Sequence, residues 1–286
     1  MPNTLRPNEH PSWSSRCLNI HMNNAAPRKV TIPNIGISVR SSYGPMTDPR
    51  VGAQHIIDRA AAAEASNLAS LFLGDHHATP TPYYQNIPMM GRLLANWSGE
   101  TTSNLLWEIE RAVISLTPSE PIATWIGADT PISLKRVARM SHSWLADLGL
   151  TQPNLLKKRD SYLAACEAEG TEYPSQMAVR RDVHVADSDK EAAAVKAELE
   201  AKQYRGIDPD ALVIGTVGQV EAHIRDLGEI AFTDIITRHL HPDQASAIHS
   251  IERLGHVRER LNARYPVSNC FERERKPLAD ASVQHH

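Results

Sequence analysis

Asp75, His76 and His77 stand together immediately after the apolar run Leu71-Phe72-Leu73 and Gly74. A short apolar run that ends in three consecutive ionisable side chains reads as a buried strand delivering chemistry at its carboxyl end. Imidazole titrates near neutral pH, so His76 can give a proton to, or take one from, a bound oxygen atom, and a neighbouring carboxylate can fix its tautomer. Two other readings of the same residues stay open. One is a structural His–Asp pair holding a loop; the other is a metal-dependent hydrolase, which needs further carboxylate ligands.

A second candidate is Gly127-Ala128-Asp129-Thr130-Pro131-Ile132-Ser133, where a strand end turns directly into a helix. Helix-start N–H groups and the hydroxyls of Thr130 and Ser133 would suit a phosphate, although a plain N-cap explains Thr130 equally well. Less specific candidates for a substrate pocket are the loop aromatics Tyr83 and Tyr84, Trp144, and the pair Arg238 and His239 at the end of the last strand. Cys166 reads as a core residue on its helix.

These residues need a frame. At 286 residues the chain can bury the core of one α/β barrel. With 30 Lys and Arg against 33 Asp and Glu, no strong field points to nucleic acid or a membrane surface, so a small-molecule substrate is expected. Cys17, Cys166 and Cys270 are too few and too widely spaced for a disulfide framework, which fits a reducing, cytoplasmic setting.

Short apolar runs alternate with helical stretches from Val30 onward, as in a parallel sheet built of βα units. Strands are expected at 32–39, 69–73, 122–126, 144–146, 177–185, 212–214 and 234–237. Helices are expected to start at Asp48-Pro49, Thr130-Pro131, Ser188 and Thr216, each marked by an N-cap. Residues 1–29 read as a flexible extension, 30–265 as the barrel domain and 266–286 as a polar tail. Between Leu94 and Ile122 no strand–helix–strand pattern is evident, which leaves about six barrel strands where a closed barrel has eight.

Taken with Trp125-Ile126-Gly127-Ala128 and Ser143-Trp144-Leu145-Ala146, the Asp75-His76-His77 segment resembles the bacterial-luciferase-like flavin-dependent monooxygenases, over about residues 32–240. The resemblance implies a TIM-barrel-like fold short of its third and fourth strands, a loss of roughly 60–90 residues at over 30 residues per βα unit. It implies an oxidoreductase that uses reduced FMN and dioxygen to oxygenate a small organic substrate. A deazaflavin coenzyme with hydride transfer is the alternative, and a non-catalytic flavin-binding relative is another.

In that family His76 would lie beside the flavin ring as the catalytic acid–base and Asp75 would orient it, with His77 a further cofactor-binding residue and Gly127, Ala128, Thr130 and Ser133 around the phosphate. The resemblance also brings a flavin reductase and a second copy of the chain into view as partners. It departs at Ser141-His142-Ser143, where the family has glycines before the tryptophan. A phosphate-binding arginine and a strained peptide of the third strand would lie in the missing portion.

Overall fold

The computed structural model describes residues 32–44, 46–74, 82–97, 124–140, 143–240 and 243–264, so the expected extension and tail lie outside the described residues. The strands are β1 (Asn34–Val39), β2 (Ser70–Leu73), β3 (Trp125–Gly127), β4 (Ser143–Ala146), β5 (Met177–Ala186), β6 (Val213–Thr216) and β7 (Asp234–His239). Between them run α1 (Pro49–Ala65), α2 (Asn86–Trp97), α3 (Pro131–Arg139), α4 (Gln152–Glu169), α5 (Asp189–Ala201), α6 (Val217–Glu229) and α7 (Gln244–Arg264). The sheet follows the order β2-β1-β7-β5-β4-β3, with β6 paired to β5 off this path, and the pairings are parallel. Six strands thus form the barrel path, as expected, and β6 belongs to an excursion at its rim.

The helix starts follow local chemistry. The Asp48 carboxylate accepts from Arg50 N at 2.7 Å ahead of Pro49, and the Ser188 hydroxyl accepts from Glu191 N at 3.2 Å. Thr216 and Gln219 form a reciprocal capping box. Helix α5 stops at Ala201, and Gln203 soon after turns into the left-handed region at φ 46°. The last strand runs two residues beyond the expected Thr237, to His239, because Arg238 and His239 continue to pair with Asp182 and Val183 of β5.

Strand alternation sorts side chains into two layers. Ile35, Ile37 and Val39 of β1, Val179, Val183 and Val185 of β5, and Ile235 of β7 join Ile56, Ala60, Ile224, Ile251 and Leu254 of the helices in one core. Trp144 sits in this outer layer, fully buried against Tyr162 of α4 and Phe232, with its indole N–H donating to Ala128 O at 2.8 Å. Its expected place in a substrate pocket is therefore corrected: register puts the odd-numbered neighbours Ser143 and Leu145 on the inner face, and Trp144 outside.

On the inner face the two ends of the strand order meet. Phe72 of β2 and Trp125 of β3 bring their ring centroids to 5.6 Å, so the sheet curls until side chains bridge its edges. Beneath Phe72, Gly36 has no room for a methyl group: a Cβ there would lie 2.2 Å from Ser70 Oγ and 3.0 Å from Phe72 Cε2.

Trp144→Ala should lower unfolding free energy by about 3–5 kcal/mol, the usual range for emptying a large buried aromatic site. Trp144→Phe should lose less, because a phenyl ring refills much of the site, leaving a smaller cavity and the Ala128 carbonyl without its donor. Urea unfolding of both variants measures the difference, and equal losses would mean that the bond to Ala128, lost in both, outweighs aromatic burial.

Candidate functional site

Asp75, His76 and His77 lie outside the described residues, but both flanks of their loop are fixed. At its start Gly74 N donates to Val39 O at 3.3 Å, and the Ser41 hydroxyl donates to Gly74 O. At its end Tyr43 N donates to Pro82 O at 3.2 Å and Tyr84 N to Ser41 O at 2.7 Å, with Ser42 and Tyr83 forming an antiparallel bridge. The chain thus leaves and re-enters against the carboxyl exit of β1. Tyr84 stacks on Tyr43 at 4.7 Å and its phenol donates to Pro49 O, so it clasps the β1–α1 connection.

The α3 corner holds Gly127, Ala128, Thr130 and Ser133 together. Thr130 caps α3: its Oγ1 accepts from Ser133 N at 3.2 Å, and Ser133 Oγ accepts from Thr130 N at 3.0 Å and Asp129 N at 3.2 Å. Each hydroxyl is therefore engaged within the cap. The first-turn N–H of Ile132 has no intrahelical acceptor, and Pro131 has no N–H to offer. A cation missed by sequence reading completes the corner: Lys158 of α4 donates to Asp129 O and pairs with its carboxylate at 3.1 Å. No atom of the described residues lies within 4 Å of the position a Gly127 Cβ would take, leaving space beside the strand end.

The remaining candidate pair separates. Arg238 faces inward on β7, whereas His239 faces the helices, because neighbours on a strand point to opposite faces. His239 is a core residue rather than a pocket residue. Its Nδ1 lies 2.8 Å from Ser250 Oγ, which already accepts from Val185 N at 2.8 Å. Ser250 thus links β5 to the His239 ring of β7. Burial, then Arg59 and His184, pushes the imidazole down to about 3, so the ring is neutral.

Arg238 belongs to a cluster invisible to motif reading. Its guanidinium pairs at 2.6 Å with Asp182 of β5, a fully buried carboxylate. The same oxygen accepts from Tyr204 Oη at 3.1 Å and Arg205 Nη1 at 3.3 Å, both from the turn after α5, and Arg180 approaches the other oxygen at 3.5 Å. Arg238 also donates to Tyr204 Oη. Three guanidinium groups share one carboxylate. At an effective dielectric near 20, one ion pair at 4 Å gains about 4 kcal/mol, while burying each ion costs several, so Asp182 cannot balance all three. Burial, repulsion from Arg238 and repulsion from Arg205 lower the Arg180 pKa, against the pull of Asp182.

Arg181, next in sequence, serves the outer layer instead, donating to Leu148 O at 3.3 Å and Leu150 O at 3.0 Å. A cleft of about 760 Å³ opens elsewhere, between the start of α6 and α7, lined by Thr216, Gly218, His249, Arg253, His256 and Arg260. Its arginines are already paired, Arg253 with Asp187 and Glu191 and Arg260 with Glu221. Among the described residues no group of three or more His, Cys, Asp or Glu side chains is placed to hold a metal ion, and no described helix is long and apolar enough to cross a membrane.

No protein-family model matches the sequence, and no curated protein matches it. Solved structures do match in fold. The monooxygenase RslO1 from Streptomyces bottropensis superposes with TM-score 0.59 at 12% identity, covering 81% of this chain and 99% of that one. An F420-dependent secondary alcohol dehydrogenase, solved with an F420-acetone adduct, gives 0.55 at 13%, covering 80% and 99%. The oxygenating constituent of 3,6-diketocamphane monooxygenase from Pseudomonas putida, solved with FMN, gives 0.53 at 14%, covering 78% and 96%. The fold is therefore the luciferase-like α/β fold, and among the described residues its curled sheet has fewer strands than a complete barrel.

Burial and then Arg181 push His223 of α6 down to about 4, as burial does His239 to about 3. Both lie below the unfolded value near 6.5, so the unfolded chain binds more protons between these limits. Stability should be fully present above pH 6.5 and fall progressively as pH drops toward 4. Urea unfolding at pH 8, 6 and 5 measures this. His223→Gln should reduce the slope, and a flat wild-type profile would contradict the buried neutral rings.

Proposed function

We propose that this chain is a flavin-dependent oxidoreductase that uses reduced FMN and dioxygen to oxygenate a small organic substrate. The observation that carries the reading is the fold shared with enzymes of that kind, combined with a loop of Asp75, His76 and His77 whose flanks are fixed at the carboxyl exit of β1. Ligands of α/β barrels bind at that face of the sheet.

The residues present fit the phosphate end of the cofactor. The α3 start offers the Ile132 amide and the Thr130 and Ser133 hydroxyls, Lys158 adds a positive charge, and the missing Cβ of Gly127 leaves space. Accepting an anion there requires Ser133 to exchange its bond to Thr130 O for one to phosphate, which helix polarity favours.

Reduced FMN, when bound, supplies the electrons that activate dioxygen. Asp75 orients the His76 imidazole, which holds or releases a proton where oxygen is transferred, and His77 lies toward the flavin. Phe72 and Trp125 provide an apolar wall that keeps water from the inner face, Tyr83 would border the approach of substrate, and Arg238 stands behind it on the inner face, held by Asp182. A deazaflavin coenzyme with hydride transfer is the second reading, supported by the same fold in the F420-dependent alcohol dehydrogenase.

Fluorescence titration of the full-length protein with FMN and with riboflavin tests the cofactor. Thr130→Ala combined with Ser133→Ala should weaken FMN at least tenfold more than riboflavin, and equal losses would move the phosphate elsewhere. In oxygen-consumption assays His76→Ala should slow turnover by roughly 100-fold. An unchanged rate would take His76 out of the reaction. Saturable FMN binding without turnover in the wild type would favour a non-catalytic flavin-binding protein instead.

A further inference from the structure

Arg180, Arg205 and Arg238 converge on the carboxylate of Asp182, midway along β5 and beside the carboxyl end of β7. Asp182 and Arg238 are paired in register, one residue before β7 ends, and both project from the inner face. Arg180 lies two residues before Asp182 on the same face. Tyr204 and Arg205 arrive from a separate element, the turn after α5. We propose that this cluster is a binding site for an oxyanion, the carboxylate of a small organic acid, which Arg180 and Arg205 grip while Arg238, Asp182 and Tyr204 hold the arrangement.

Four observations point the same way. The first is the charge surplus, three guanidinium groups against one carboxylate, in a place where Asp182 is fully buried and the Arg238 side chain is 10% exposed. Buried like charges are retained at a cost unless a counter-ion joins them. The second is unsatisfied polarity. Among the described residues Arg180 Nε is buried with no hydrogen-bond partner, and an incoming oxyanion would give this donor an acceptor.

Access is the third. The Arg180 side chain is 28% exposed and that of Arg205 40%, so the cluster is reached through these two and not through Arg238. Backbone conformation is the fourth. Gln203 and Arg205 both take left-handed conformations, at φ 46° and 53°, which non-glycine residues adopt only at a cost. That cost is borne by the turn that brings Tyr204 and Arg205 over Asp182.

Planar guanidinium forks match a carboxylate in two-point contact, and a phosphate shares enough of that geometry to compete. Under the oxidoreductase reading the bound acid is the substrate, and to that extent the assignment rests on it; anion binding itself does not. The α3 corner remains the place for the cofactor phosphate, so the two anions would occupy different parts of the sheet.

The test is titration of the full-length protein, without flavin, by succinate, benzoate and inorganic phosphate at constant ionic strength, read by calorimetry and by melting temperature. A carboxylate should bind saturably, with a dissociation constant of about 1 mM or tighter, and should raise the melting temperature. Arg205→Gln and Arg180→Gln should each weaken that binding at least tenfold. The melt of each ligand-free variant should match or exceed that of the wild type, because each removes a repelling charge.

Absence of saturable binding in the wild type, or equal binding in both variants, overturns the site. Binding of phosphate without either carboxylate overturns the assignment to an organic acid. A parallel FMN and riboflavin titration separates the sources. Equal FMN affinity in wild type and Arg205→Gln supports the arginines as a substrate site, and a loss specific to FMN overturns it by giving them to the cofactor phosphate. Failure of all flavin binding would sink the oxidoreductase reading while leaving the anion titration decisive.

Discussion

The contact between Phe72 and Trp125 is the constraint from which the remaining architecture follows. A parallel sheet with two free edges presents unpaired backbone groups, and a closed barrel normally removes them by hydrogen bonding the last strand to the first. Among the described residues the strand order ends at β2 on one side and β3 on the other, and two aromatic rings on the inner face meet between them. Ring against ring needs no backbone register. It supplies apolar burial in place of a ladder, and it uses inner-face volume that a complete barrel would leave to strand side chains or ligand.

Closing the sheet in this way leaves polar chemistry to one sector. The inner face near β2 and β3 is aromatic, while the inner face of β5 and β7 carries Arg180, Asp182 and Arg238. Strand β5 is ten residues long and pairs β4 with its first part and β6 with its last. That overhang lets α5 and its following turn return to the level of Asp182, so Tyr204 and Arg205 come from an excursion that the barrel path itself does not contain.

Much of this was legible in the chain because it is local. Caps at Asp48, Thr130, Ser188 and Thr216 are written in single side chains, and apolar periodicity placed the strands and helices to within a few residues. The α3 corner was found for the same reason, since Thr130 and Ser133 sit one turn apart. Its cation was not found, because Lys158 lies on α4 and reaches Asp129 only through the packing of α3 on α4. Sorting of adjacent residues also escaped the sequence. Arg180 and Arg181, or Arg238 and His239, look equivalent until register assigns one of each pair to the inner face and the other to the helices. The arginine cluster depends in addition on two left-handed residues that no glycine announces.

The pinned ends of the Asp75–Thr81 loop have a consequence for how such a protein can change. Gly74 is held by Val39 O and the Ser41 hydroxyl and Pro82 by Tyr43 N, so the intervening seven residues begin and end against one short stretch of chain at the exit of β1. Because closing a loop between fixed ends becomes only slowly more costly as the loop lengthens, residues can be exchanged or added there with little penalty to the sheet. Natural or directed variation in reactivity can therefore accumulate within that span, independently of the side chains that keep the sheet curled.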